Sequence, residues 1–332
     1  MAAGAQTLYS GWRSSYLTVA CFMTALTLLF LVSFEETKFV PPPQQNSDID
    51  FSDGASVRKD NTMEFVSTMP VESSVPTSTQ RSRLRLQLIT KTNESILRDM
   101  YYPVLTAWYP QVVFTYIEFA SGVTWVVITS LMTSIIFSKP PYNFNSLQVG
   151  FMFGGTLVGS VFGSLYGGWL VDWAIVRFAK RNRGVFEPEM RLWLFPLPGL
   201  AMSAGLVVFG VTADRGMHWI FPSIGAGLFG YGFGAVSDIT FTLVIDSFPN
   251  LVAQTFVVIA FFRNAISIAG PFSIVPWMEA MSVSAIFIIA GSISMGIHLF
   301  AVPLVIWGKK ARESIAPRYY RLTERLYPGV MG

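Results

Sequence analysis

Charge is what this sequence has least of. Only 13% of its 332 residues are Asp, Glu, Lys or Arg, against roughly 25% in an ordinary soluble domain. Those charges gather between long apolar runs, so they cannot form the charged skin that a water-soluble fold of this size needs. Cysteine is nearly absent too. The lone Cys21 sits inside an apolar run, so no intrachain disulfide can form and the chain carries no mark of an oxidising compartment. Histidine occurs twice, at His218 and His298, far apart and without neighbouring cysteine; no metal site is expected. There is no Walker-type glycine loop and no nucleophile elbow. A net charge of +3, without basic stripes and aromatic readers, excludes nucleic acid as a partner. A membrane-embedded enzyme would need His, Cys or paired acids clustered at one depth. None is visible, so neither catalysis nor a cofactor is expected.

What the chain does have is apolar length. Hydrophobic residues make up 52% of it and the mean hydropathy is +0.48. Roughly 20 mainly apolar residues cross ~30 Å of hydrocarbon. Seven runs qualify: 15–34, 110–137, 147–171, 192–211, 218–245, 250–276 and 283–307. The expected class is an all-α integral membrane protein whose first partner is the lipid bilayer. The first run follows Arg13, and a basic residue before an apolar run is a signal-peptide pattern, but the run is longer than a signal core. It closes on Glu35, Glu36 and Thr37 without a small-residue cleavage pattern, so it reads as a retained span.

Residues 35–95 differ in kind, with Pro41, Pro42 and Pro43, many Ser and Thr, and mixed charge. This composition predicts a polar disordered loop. Arg81, Arg83 and Arg85 follow as a juxtamembrane basic patch, and 96–109 reads as an interfacial approach to the second span. Lys and Arg number eight in 35–100, five in 172–191 and six in 308–332. The alternate loops hold only Lys139 and Arg215. The bias predicts an outside N-terminus, a cytoplasmic long loop and a cytoplasmic C-terminus. The sequon at Asn93 would then face the cytosol, unglycosylated.

In the third run Gly155, Gly159, Gly163 and Gly167 recur every four residues. On a helix they share one groove, which lets a neighbouring backbone come close. This is either static packing or a surface for sliding. The fifth run is also glycine-rich, at Gly225, Gly227, Gly230, Gly232 and Gly234. Pro222, Pro271 and Pro276 lie inside apolar runs and are candidates to break helices. Trp193, Trp219 and Trp307 stand at span ends as interface anchors.

Gly168 and Asp172 close the third run, and Arg177, Lys180, Arg181 and Arg183 follow. A glycine and an acid at a helix end before a basic loop resembles the loop signature of the major facilitator superfamily. The resemblance extends in order along the chain. Gly11-Trp12-Arg13, the first run and Phe34-Glu35-Glu36-Thr37-Lys38 look like span six of fungal drug and polyamine antiporters of that family. Ser138-Lys139-Pro140-Pro141-Tyr142-Asn143-Phe144 is similar to their loop after span seven. Glu187-Pro188-Glu189-Met190-Arg191-Leu192 is similar to the approach to span nine. Ile245-Asp246-Ser247-Phe248-Pro249 is similar to the end of span ten, and Arg263-Asn264 falls on span eleven.

The resemblance implies a domain plan. Residues 1–34 hold a tail and a lone helix, and 35–100 a cytoplasmic linker. Residues 101–309 form a six-helix C-terminal transporter half, and 310–332 a cytoplasmic tail. Family spans one to five have no counterpart, so the chain is expected to be truncated and inactive alone, unless a partner supplies the missing N-terminal half. The resemblance further implies proton-coupled transport of a small organic solute, cationic or amphipathic, at the plasma membrane. Within that frame Asp172 would bind a neighbouring helix end and basic groups, locking one conformation.

Intramembrane charges are costly and mark function by default. Glu118, Asp238 and Arg263 lie inside apolar runs. An Asp238–Arg263 ion pair would lower the cost of each. A coupling carboxylate must change proton affinity with exposure, and Glu118 and Asp238 are the candidates. Tyr116, Trp125, Tyr231 and Phe233 are candidates to line a cavity that holds an organic cation, with helix packing as their alternative role. The competing reading is a seven-helix receptor. It fits the span count but lacks an Asp-Arg-Tyr or Asn-Pro-x-x-Tyr signature.

Overall fold

The computed structural model describes residues 11–33 and 96–326, and those residues are helical apart from short connections. The predicted linker lies outside the described residues up to position 95, with its arginine patch and sequon. Two compact units are present. The smaller is residues 24–93, of which only 24–33 are described, as the second part of helix α1 (Trp12–Ser33). That helix exposes Tyr16, Phe22 and Leu29 by more than half.

The larger unit, 1–23 and 94–332, carries the remaining helices. They are α2 (Ile96–Thr106), α3 (Pro110–Phe137), α4 (Ser146–Leu165), α5 (Val171–Arg181), α6 (Pro196–Asp214), α7 (Ile220–Ser247), α8 (Val252–Ser267), α9 (Ala269–Ala280), α10 (Val283–His298) and α11 (Ala301–Leu326). All seven apolar runs are helices long enough to span a bilayer.

Local chemistry sets the ends. The Asn145 side chain accepts from the Gln148 backbone N–H at 2.9 Å, and Gln148 accepts from the Asn145 N–H at 2.9 Å. This reciprocal box satisfies two amides that would otherwise be orphaned at the start of α4. Proline breaks two spans by one device. Pro271 and Pro303 each stand third in α9 and α11. Neither can donate to the carbonyl four residues back, so the preceding helix stops there. The other two prolines do not act as expected. Pro222 lies in the first turn of α7, where no donor is needed, and Pro276 is carried inside α9.

The third run also differs from expectation. It does not end near 171. One wide turn, Tyr166–Leu170, carries it straight into α5, so Arg177, Lys180 and Arg181 lie on a helical extension rather than a loop. Such wide turns are inserted locally and recur at functional sites.

Glycine decides how closely α4 and α7 approach. A Cβ at Gly155 would stand 2.6 Å from the Ser223 carbonyl oxygen, and one at Gly167 2.8 Å from the Asp238 Cβ. Gly159 and Gly163 face the carbonyls of Gly227 and Tyr231. The α7 glycines split between two partners. Gly227, Gly230 and Gly234 meet α4, while Gly225 and Gly232 meet α6. Gly168 departs from the set, because a Cβ there meets nothing within 4 Å.

The main core joins α3, α4, α6, α7 and α10 around Phe195, Phe209, Phe229 and Phe287. A second cluster joins α2, the ends of α3 and α7, α8 and the C-terminal turns of α11. Tyr102, Tyr109, Phe248 and Leu322 are at its centre.

Candidate functional site

The inner face of α3 is polar. Gln111, Thr115, Glu118, Ser121, Trp125, Thr129 and Thr133 recur every three or four residues and all are buried, so they form one stripe. Most of them find a hydrogen-bond partner, whereas the Thr129 hydroxyl has none. Gln111 Nε2 donates to the Gly308 carbonyl at 3.3 Å, and the Thr115 hydroxyl to the Thr240 carbonyl at 3.1 Å. Trp125 Nε1 donates to Ser121 Oγ at 3.0 Å. Trp125 is only 5% exposed, so it packs in the core and lines no open cavity.

Glu118 is the centre of this stripe. Its Oε2 lies 2.9 Å from His298 Nδ1, and His298 Nε2 lies 3.1 Å from Ser294 Oγ. The Glu118 and His298 side chains are 0% and 4% exposed. Phe195 meets the imidazole edge-on with centroids 5.6 Å apart. Gly199 makes room for it, since a Cβ there would come within 3.2 Å of the ring. Glu118 Oε1 has no hydrogen-bond partner, nor has the buried Ser203 Oγ on α6. One carboxylate thus ties α3 to α10, with α6 walling the contact. An unpaired charge there would be costly. His298 was no part of the sequence prediction. The signal was present: Ser294 and His298 are four residues apart on one face of an apolar run.

Asp238 sits elsewhere, half-buried on the α7 face that meets α4. Ser164 is its polar neighbour. Tyr231, two turns earlier, meets Tyr166 edge-on at 5.7 Å between centroids. The expected Asp238–Arg263 ion pair does not form. No such pair occurs among the described residues. Arg263 instead sits over the Phe119 ring, 4.9 Å from its centroid, with Nε 3.2 Å from the Asn264 amide oxygen. Asp238 faces α4 while Arg263 faces α3, which is why the two do not meet. Phe233 and Phe241 pack against Phe119, and Tyr116 stacks on Phe262, so the ring under the guanidinium belongs to an aromatic shelf.

The third constellation lies at the end of the bundle that carries the basic segments. Arg191 Nη1 reaches Asp172 Oδ1 at 2.8 Å, and its Nε reaches Asp246 Oδ2 at 2.7 Å. The Arg191 side chain is 11% exposed, against 63% for Asp172 and 23% for Asp246. The planar fork of arginine suits two acids at once. Asp172 therefore finds its cation in Arg191, not in Arg177, Lys180 or Arg181. Arg177 rests over the Trp173 ring at 5.4 Å. The segment before α6 makes two further links to α11. Lys309 Nζ meets Glu187 Oε1 at 2.7 Å, and Arg312 meets Glu189 at 3.3 Å. The hydrogen bond and charge of Glu187 raise the Lys309 ammonium above its ordinary value.

These features together define a class: a polytopic helical membrane protein with a carboxylate buried between spans and an ionic clamp across helix ends. The chain belongs to the Major Facilitator Superfamily, whose family model matches residues 1–271. It is similar to Protein HOL1 of Saccharomyces cerevisiae, at 30% identity over 63% of this chain and 37% of that protein. An uncharacterized MFS-type transporter of Schizosaccharomyces pombe is 26% identical over 71% of this chain and 42% of its own length. Quinidine resistance protein 3 of Saccharomyces cerevisiae is 28% identical over 62% of this chain and 30% of its own length. The chain thus spans about a third to two-fifths of these three relatives. No solved structure matches it. Family membership displaces the seven-helix receptor as a reading.

Proposed function

We propose that this chain supplies the C-terminal half of a major facilitator-type secondary transporter that moves a small organic solute by coupling to a proton gradient. In this reading 1–34 carry one preceding span, 35–100 a cytoplasmic linker, 101–309 the six-helix half and 310–332 a cytoplasmic tail. The Lys and Arg bias of the connecting segments supports a cytoplasmic C-terminus and an outside N-terminus. The plasma membrane is the proposed location.

The clamp at Arg191 carries the proposal. It joins the extension of α4, the segment before α6 and the end of α7. Rocking carriers need helix ends that hold together in one state and part in another. Asp238 is the proposed exchanging acid, because it is half-open where Glu118 is closed. Tyr231 and the aromatic shelf would hold the solute, with Arg263 over Phe119 marking the ring face that a cation occupies. Glu118 with His298 would hold α10 against α3 throughout the cycle. The stripe Gly155, Gly159, Gly163 and Gly167 would be the surface on which α4 and α7 stay in contact.

The test is solute flux into proteoliposomes holding this chain together with a complementary first half. Quinidine, named for one relative, is the first probe. Uptake should follow an imposed proton gradient and be lost in Asp238→Asn, while Asp214→Asn leaves it unchanged. Uptake indifferent to the gradient would reject proton coupling.

A further inference from the structure

A groove of about 460 Å³ runs between α3 and the α10–α11 junction. It falls within the ~300–1,000 Å³ typical of small-molecule sites. Phe114, Ile117, Phe300 and Pro303 line it, with Trp108 and Trp307 at its rim. The walls are almost wholly apolar. The groove exists because the chain leaves the helix at Leu299–Phe300, ahead of Pro303, and re-enters it at Ala301. Trp108 precedes α3 and Trp307 falls at the end of the last apolar run, which is where indoles sit at the edge of the hydrocarbon.

Two polar features at the same end are unmet. Trp108 and Trp307 are 82% and 57% exposed, and neither indole N–H has a partner among the described residues. Arg318 continues the groove-lining face of α11 beyond Trp307 and Ala311 at helical spacing. Its charge acts on Tyr109, next to Trp108. Yet it joins no ion pair among the described residues, whereas Lys309 and Arg312 are held by Glu187 and Glu189. The nearest acids on its own helix, Glu313 and Glu324, are five and six residues away, beyond the reach of adjacent turns.

We infer that this groove binds one anionic phospholipid. An acyl chain lies along Phe114, Ile117 and Pro303, and the headgroup phosphate meets Arg318 and the indole donors. An apolar trough with an unpaired cation about two helical turns past its last lining residue, Ala311, suits an amphiphile with an anionic head. A sterol would leave Arg318 unmet, and a free phosphate would leave the groove empty.

Native mass spectrometry of the full chain, released from micelles with equimolar phosphatidylglycerol and phosphatidylcholine, tests this. One phosphatidylglycerol should be retained with about fivefold preference, the contribution of roughly one basic residue at an anionic surface. Arg318→Gln should abolish the preference, while Arg183→Gln, on an exposed turn elsewhere, should keep it. Val113→Phe narrows the groove and should lower retention of both lipids. Equal retention of the two lipids by the unaltered chain would overturn the assignment. So would an equal loss in Arg318→Gln and Arg183→Gln, which signals general surface charge, and so would retention unmoved by Val113→Phe. Displacement of the lipid by cholesteryl hemisuccinate, with Arg318→Gln behaving as the unaltered chain, would assign the groove to a sterol and also overturn it.

Discussion

Replacing His298 with alanine should loosen the bundle more than any other single polar substitution in it. Glu118 has one hydrogen-bonded oxygen and one without a partner. His298→Ala therefore leaves a fully buried carboxyl with no partner at all, and opens a hole beside Phe195 and Gly199. Breaking a buried ion pair by removing one member costs about 3–5 kcal/mol when the remaining group stays charged. The cost falls to about 1–3 kcal/mol for a neutral polar group left unsatisfied. At the ~2–4 °C per kcal/mol of domains of about 150–250 residues, the apparent Tm should fall by on the order of 10 °C. The assay is helical circular dichroism on heating in nanodiscs at one fixed scan rate. The decisive control is the double variant Glu118→Leu with His298→Leu. Exchanging both members for apolar side chains removes the orphan and should restore most of the loss. The reasoning fails if His298→Ala leaves Tm unchanged, or if the double variant is no more stable than the single one.

Three further outcomes follow from other contacts. Gly159→Leu or Gly163→Leu should abolish the monodisperse peak in size-exclusion chromatography, because a side chain there collides with the α7 backbone; Gly168→Ala should leave the peak intact. Arg191→Gln should lower stability by about 1–3 kcal/mol, as charge-assisted hydrogen bonds of this kind contribute, read by the same thermal assay. Asp246→Asn should cost more than Asp172→Asn, since Asp172 is 63% exposed and water already screens it. A mutant order reversed from this would show that the clamp does not act through burial.

The spans were legible in the sequence because hydrocarbon imposes a length on apolar runs that water does not. The breaks were less so. Pro271 and Pro276 look alike as letters, yet only Pro271 falls where a helix must restart. The α4–α7 contact could be anticipated from glycine spacing, since glycines four apart form a groove whatever fills it. Gly168 stands outside the groove because it follows Gly167 directly, and successive residues on a helix point about 100° apart. The Glu118–His298 bond links residues 180 apart, and no local periodicity sets that register. Arg191 was visible as one base among five and as part of the Glu187–Leu192 motif, but not as the centre of a clamp, because its acids lie 19 and 55 residues away in sequence. The Asp238–Arg263 pairing failed for the complementary reason. A place inside an apolar run says nothing about which way a side chain faces.

The central claim is that this chain is one half of a two-half carrier. Solute flux into proteoliposomes containing the chain alone, beside proteoliposomes containing it with a complementary first half, tests this most directly. The account predicts proton-driven flux only from the pair. Robust proton-driven flux from the chain alone would contradict it.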